Sequence, residues 1–512
     1  MRVAGILIPL FSIRSRGDLG RGEIYGLEPM IDFAVAAGHR MIQLLPLDET
    51  APGEKSPYSA MSVFAIDPMY ISASGLAGIG ASVLGRARAA AFATARAPAR
   101  EAVRREKLEL LTRAWRAAHP RGGRGKDPAF RKFAAANRDW LDEYALFRAL
   151  KERFDWTAWE AWPEEIARRD PKALNAARRK LAGEIDKYRF WQFIADRQWS
   201  EVRGYAHERG ASIGGDLAFS PGRDSAEVWA NQDDFDLNRS VGAPPDGFNP
   251  KGQRWGLPLP KWEKMRESGL KLMRARVRRA AQLYDFIRID HVVGLYRTFN
   301  FGPDPETGGE FTPWREEDEY AQGEEILKTI QSEAGGAVLI AEDLGTVPPW
   351  VRESLARLGI PGYKVMRWER VNWGAWDETY SSPSSYPELS LATTGTHDME
   401  PITIWWRDLP VHEREKLVGA FGLHNRVSAK EMLSHTSREA LLEALFASPS
   451  ELVIIPFQDL FGWCAQINRP GTVADSNWTW RLPLDIDRLR HCGAIRAQVA
   501  RLHAIAMRSG RI

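Results

Sequence analysis

Cysteine is almost missing from this chain: 512 residues hold two, Cys464 and Cys492. Two cannot staple a chain of this size, and they lack a close-spaced partner for a zinc site, so they read as two buried thiols in a reducing cytoplasm. Charge of one sign is missing too. Lys and Arg number 70 against 67 Asp and Glu, a formal net charge of +3, which leaves no basic footprint for nucleic acid. No apolar run approaches the roughly 20 residues that span a bilayer, and neither a low-complexity tract nor a repeat of roughly 20–50 residues is present. The stretch VAGILIPLF at 3–11 imitates a signal-peptide core. Pro9 interrupts it, Arg14, Arg16 and Asp18 follow, and no small-residue cleavage site appears, so it reads as a buried first strand. With 44% hydrophobic and 27% charged residues, the chain is a globular protein with a large core.

Eight short apolar runs bounded by turn residues read as buried parallel strands: 3–10, 41–47, 212–219, 286–292, 337–345, 363–368, 391–398 and 452–459. Helical patterns lie between them. Pro348 and Pro349 open a helix that stops near Gly359, Thr436 and Glu439 form a capping-box pattern before 440–446, and 486–507 carries Leu489, Ile495, Val499, Leu502 and Ile505 on one side. An alternating series of eight strands ending in a helix predicts an α/β fold, a single (β/α)8 TIM barrel over 1–512 with no C-terminal β domain. About 165 residues separate strands two and three and about 65 separate three and four, too long for ordinary crossovers. These are insertions, mainly helical, at 48–211 and 220–285. The first contains amphipathic stretches at 84–119 and 132–193. Its basic run RGGRGK at 121–126 lacks the Ser or Thr and the preceding strand of a phosphate loop, and reads as solvated. The second contains a Pro/Gly-rich loop at 244–256, positioned to cover a site at the C-terminal ends of the strands.

Five of the runs end in an acid: Asp216, Asp290, Glu342 with Asp343 beside it, Asp398 and Asp459. A carboxylate at the tip of an apolar strand is costly unless a site uses it. A ring of acids serves either oxygen ligation of a hard metal ion or divided roles in glycosyl transfer. Arg288 lies two residues before Asp290, so strand periodicity puts guanidinium and carboxylate on one face, favouring an ionised nucleophile. Glu342 follows Val338, Leu339, Ile340 and Ala341 with no adjacent cation, so burial should keep it protonated as a general acid. His291 and His397 lack the paired spacing of a zinc helix and suit hydrogen bonds to hydroxyls; the reading is metal-free. Tryptophan, at 20 beside 21 phenylalanines, is abundant, and many lie in loops. Most are packing residues, but Trp255 sits in the irregular cover loop, where an aromatic suits a ligand.

Several stretches carry a resemblance: SPYSA at 56–60, GGD at 214–216, PPDGFNPKGQRWG at 244–256, RIDH at 288–291, AEDLG at 341–345, PGYKV at 361–365, GTHD at 395–398, NRPGT at 468–472 and NWTWR at 477–481. Over nearly its whole length the chain resembles the amylomaltases, the 4-α-glucanotransferases of glycoside hydrolase family 77. The resemblance implies Asp290 as nucleophile, Glu342 as general acid/base and Asp398 as the acid that fixes sugar hydroxyls. It implies donor contacts from Ser56, Tyr58, Asp216, Arg288, His291, His397 and Asn468, and an acceptor cover from Phe248 and Trp255. It also implies α-1,4-glucan donors, glucose or maltooligosaccharide acceptors and no cofactor; no nucleic-acid or membrane partner is expected, and the enzyme is read as a cytoplasmic monomer. Met399, Glu400, Leu257 and Pro260 depart from the common pattern, as do Leu217 and Ala218. The competing readings are an α-amylase-like hydrolase and a catalytically silent glycan-binding protein.

Overall fold

A computed structural model describes residues 2–79, 100–119, 127–245, 251–304, 308–472 and 474–512. Eight parallel strands close a barrel: β1 (Val3–Leu7), β2 (Met41–Gln43), β3 (Ser212–Leu217), β4 (Phe286–Ile289), β5 (Val338–Ala341), β6 (Gly362–Val365), β7 (Ser390–Thr393) and β8 (Leu452–Pro456). Each pairs with its sequence neighbour, and β8 closes on β1, Val3 opposite Leu452. Helices cover the outer face of these strands and the barrel's own packed interior covers the inner one, which is why they are continuous apolar runs.

The strands stop earlier than the apolar runs. β8 ends at Pro456, whose extended backbone starts the helix Phe457–Phe461, so Asp459 belongs to that helix. β7 ends at Thr393, and Asp398 rides in the following loop. The helix expected to begin after Thr436 instead runs His435–Ala447, capped by the Ser434 hydroxyl, which accepts the Ser437 amide. The expected last helix is two, Ile486–His491 and Gly493–Arg508, because Cys492 is extended between them. That junction exposes Cys492, and the loop after β8 exposes Cys464; neither thiol is buried as expected.

Between β2 and β3 lie helices including Arg100–Ala118, Pro128–Ala136, Arg138–Arg153, Pro171–Lys180 and Ala182–Glu208. Residues 80–99 and the basic run 121–126 fall outside the described residues. Two of the helices open on Asp-Pro, with Asp127 accepting from the Ala129 amide and Asp170 from the amides of Lys172 and Ala173. An N-cap carboxylate followed by proline at the first helical position accounts for both starts. The tryptophans here are core: Trp159, Trp162, Trp191 and Trp199 are buried.

The sequence reading missed a four-stranded antiparallel sheet. A hairpin of Phe235–Ala243 and Gln253–Pro260 comes from the segment between β3 and β4, and Thr298–Phe301 with Gly309–Thr312 comes from the segment after β4. Gln253–Pro260 is the outer strand, where Pro258 and Pro260 are tolerated because one edge needs no partner.

Candidate active site

The carboxylates gather around one guanidinium. Asp216 on β3 is in register with Arg288 on β4, which is in register with Ile340 on β5, two residues before Glu342. Residues in register share a face of the barrel wall. Arg288 Nη1 lies 2.7 Å from Asp216 Oδ2 and 2.8 Å from Asp290 Oδ1, and Nη2 lies 3.9 Å from Glu342 Oε2. The pairing of Arg288 with Asp290 follows the period-two reading. The cation beside Glu342 does not, because it arrives from the neighbouring strand.

The two glycines before Asp216 have steric causes. A Cβ on Gly214 would stand 2.1 Å from the Phe286 ring, and one on Gly215 would stand 2.2 Å from Tyr284. Only glycine lets β3 lie against those rings.

His291, two residues past the end of β4, is held in a left-handed conformation with φ 47°, uncommon for a residue with a side chain. The turn aims its amide at Glu342 Oε2, 2.8 Å away, while the Val292 amide donates to the Glu342 carbonyl. Burial pushes the Glu342 carboxyl up to about 8; Arg288 and the His291 amide oppose this, and Asp290 reinforces it. Glu342 is therefore mainly protonated at neutral pH. Burial also pushes the His291 imidazole down to about 4, leaving it neutral. Its ring meets Trp255 edge to face at 4.8 Å and Phe219 at 5.5 Å.

On the other side, the Tyr58 hydroxyl donates to Asp216 Oδ2 at 2.5 Å. The Tyr58 ring stacks on His397, centroids 5.3 Å apart, and both rings approach Trp478. Asp398 accepts from Asn468 Nδ2 at 2.6 Å and lies 3.3 Å from His397 Nε2, yet its side chain is 42% exposed. It is held in place and accessible.

Of the sequence-derived candidates, Tyr58, Asp216, Arg288, Asp290, His291, Glu342, His397, Asp398, Asn468 and Trp255 join this continuous set of contacts. Ser56 serves the chain: its hydroxyl accepts the Tyr58 amide. Phe248 lies outside the described residues. Two of the strand-tip acids are braces. Asp343 accepts from the Tyr363 amide and from Arg352, closing β5 on β6; Asp459 accepts from Thr394 Oγ1 and the Ile402 amide, pinning the loop that carries Asp398. Glu400 pairs with Arg367 at 3.2 Å.

The sequence reading left out of the site Trp478, Phe219, and the buried pair of Gln43 and Tyr363, whose side chains are hydrogen bonded. It also omitted Asp48, an acid in the segment after β2 that feels the charge of Asp216 and that burial pushes up to about 8. The run at 41–47 is followed directly by that acid, so the signal that found the others was there.

A closed parallel barrel whose strand ends bring an ion-paired aspartate, a protonated glutamate and aromatic rings together defines an enzyme of the paired-carboxyl type that works on glycosidic bonds. The family model for 4-alpha-glucanotransferase, glycoside hydrolase family 77, matches residues 8–486, and the chain belongs to this family. It is 30% identical to the 4-alpha-glucanotransferase of Chlamydia caviae, with 97% of this chain and 93% of the relative aligned. It is 32% identical to that of Aquifex aeolicus, covering 95% and 96%. Among solved structures, the amylomaltase from Streptococcus agalactiae in complex with acarbose superposes with a TM-score of 0.84 at 26% identity, covering all of both chains. The enzyme is a glycosyltransferase acting on α-1,4-glucans.

Proposed function

We propose that the enzyme exchanges α-1,4 bonds among maltooligosaccharides and starch or glycogen chains by double displacement, with Asp290, Glu342 and Asp398 as its catalytic acids. Glu342 gives its proton to the glycosidic oxygen while a carboxylate oxygen of Asp290 attacks the anomeric carbon; the bond to the leaving sugar breaks and a covalent glycosyl ester forms. The leaving chain departs with that proton. Glu342, now a carboxylate, takes the proton of an acceptor 4-hydroxyl, whose oxygen displaces Asp290 and restores the starting state. One α-1,4 bond replaces another. Asp398, oriented by Asn468 and His397, holds hydroxyls of the reacting glucose, and Tyr58, Asp216 and Arg288 line its pocket. Trp255 against His291 narrows the acceptor side, favouring sugar over water.

The observation that carries this reading is the carboxyl pair around Arg288: Asp290 is ion-paired at 2.8 Å, while Glu342 is pushed up to about 8 by burial. The exposed thiols of Cys464 and Cys492 support a reducing, cytoplasmic setting. Incubation with maltotriose alone tests the function. Transfer yields glucose together with longer oligomers, and Asp290→Asn abolishes both; shortening without elongation would mean a hydrolase, and activity unaffected by Asp290→Asn would remove the nucleophile.

A further inference from the structure

The loop that leaves β6 rises as a small hairpin, with Arg370–Val371 paired to Thr379–Tyr380. It carries Trp373, 76% exposed, and Trp376, 97% exposed. Neither indole packs on another ring among the described contacts. Two large apolar side chains held in water are unfavourable unless something covers them.

The hairpin beneath them is built. Asn372 and Gly374 are both left-handed, φ 55° and 76°, conformations that these two residue types accept most readily. Asn372 Nδ2 donates to Asp377 Oδ2 and the Gly374 amide to Glu378 Oε2, each at 2.8 Å. At the base, Arg370 lies over the Tyr380 ring and pairs with Glu413 at 2.8 Å. The tip therefore presents its indoles on a braced turn.

Its position indicates the occupant. The hairpin leaves the C-terminal end of β6, between the strands followed by Glu342 and Asp398. Arg367 at its root donates to the carbonyls of Thr394 and Glu400, joining it to the loop that holds Asp398. Asn372, Asp377 and Glu378 flank the indoles in the same turn and carry further oxygens able to bond hydroxyls. Flat apolar faces flanked by such groups, on the catalytic rim, match a glucan chain, whose sugar faces are apolar and whose edges carry hydroxyls.

We infer that Trp373 and Trp376 form an auxiliary binding site for long α-1,4-glucan chains, holding the part of a polymeric substrate that extends beyond the catalytic cleft. The inference deepens the glucan-exchange reading and rests on it. Loss of two stacking faces should raise KM for long amylose by about tenfold in Trp373→Ala/Trp376→Ala, while kcat on amylose and both constants on maltotriose stay within about twofold of wild type. Unchanged maltotriose turnover also certifies the fold.

The same pair of substitutions in the Asp290→Asn background, run through amylose-containing native gels, should abolish most of the amylose-dependent retardation. Equal amylose KM in variant and wild type, or equal loss on maltotriose and amylose, would overturn the auxiliary site. So would a self-associating wild type, by light scattering, that the substitutions turn into a monomer, because a second copy would then be the occupant. A wild type that fails to elongate maltotriose would refute the exchange reaction; the gel measurement, which needs no turnover, would still decide the tryptophans.

Discussion

If Glu342 donates the proton that releases the leaving chain, activity must fall as that proton is lost. Burial sets the midpoint at about 8, so the acid is about nine-tenths protonated at pH 7 and about one-tenth at pH 9, and kcat/KM for maltotriose should drop about tenfold between them. The sign follows from the cause: desolvation penalises the anion, so the acidic form persists through neutrality, whereas a carboxyl at its ordinary value of 4.5 would have lost its proton by pH 6. The assay is the initial rate of glucose release across pH 5.5–9.5 at substrate well below KM, where kcat/KM reports the steps up to the glycosyl ester. A maltoside with an activated aryl leaving group needs no protonation, so its kcat/KM should lack this alkaline fall. The same fall with both donors would assign it to another group, and no fall before pH 9.5 with maltotriose would remove Glu342 as the acid.

The same burial opposes stability. A carboxyl raised from 4.5 to about 8 on folding favours the folded state least once pH has risen through the folded value, because the unfolded chain ionises freely while the folded one resists. Glu342→Gln should therefore be more thermostable than wild type, and its advantage in urea unfolding should be roughly 3 kcal/mol larger at pH 8 than at pH 5; an advantage independent of pH would contradict the buried-acid account. Gly215→Ala tests how the backbone positions Asp216. Its methyl would stand 2.2 Å from Tyr284, so β3 must shift, costing about 1–3 kcal/mol, and maltotriose activity should fall by more than the lower melting temperature explains. Full activity at 25 °C would show that Asp216 tolerates displacement.

The barrel was legible because parallel strands covered on both faces must be continuous apolar runs, and each of the eight expected segments overlaps a strand of it. Strand ends were less legible. Proline and threonine at the ends of β8 and β7 turn the chain before the run of uncharged residues ends, so Asp459 and Asp398, both expected at strand tips, sit beyond them. The four-stranded sheet escaped because its strands come from two different connections, two of them only four residues long, one interrupted by proline and the longest, Phe235–Ala243, without sustained alternation.

Within the site, legibility followed sequence distance. Arg288 beside Asp290 is a property of one strand and could be read from spacing alone. Arg288 beside Glu342 is a property of two strands in register, and Tyr58 beside Asp216 depends on a turn of the first insertion folding back against β3. Asp343 and Asp459 show the limit from the other direction. Each is an acid at or just past the end of an apolar run, indistinguishable by composition from Glu342 or Asp290, and each turns its oxygens to a backbone amide and a neighbouring side chain. What separates a working acid from a brace is whether its hydrogen-bonding capacity is used up within the fold. Asp398 has Asn468 on one oxygen, His397 near the other, and an open approach from solvent; Asp459 is enclosed with both oxygens occupied. For these two acids the distinction turns on Asn468, Thr394 and Ile402, each more than fifty residues from its acid, which no local pattern around the acid records.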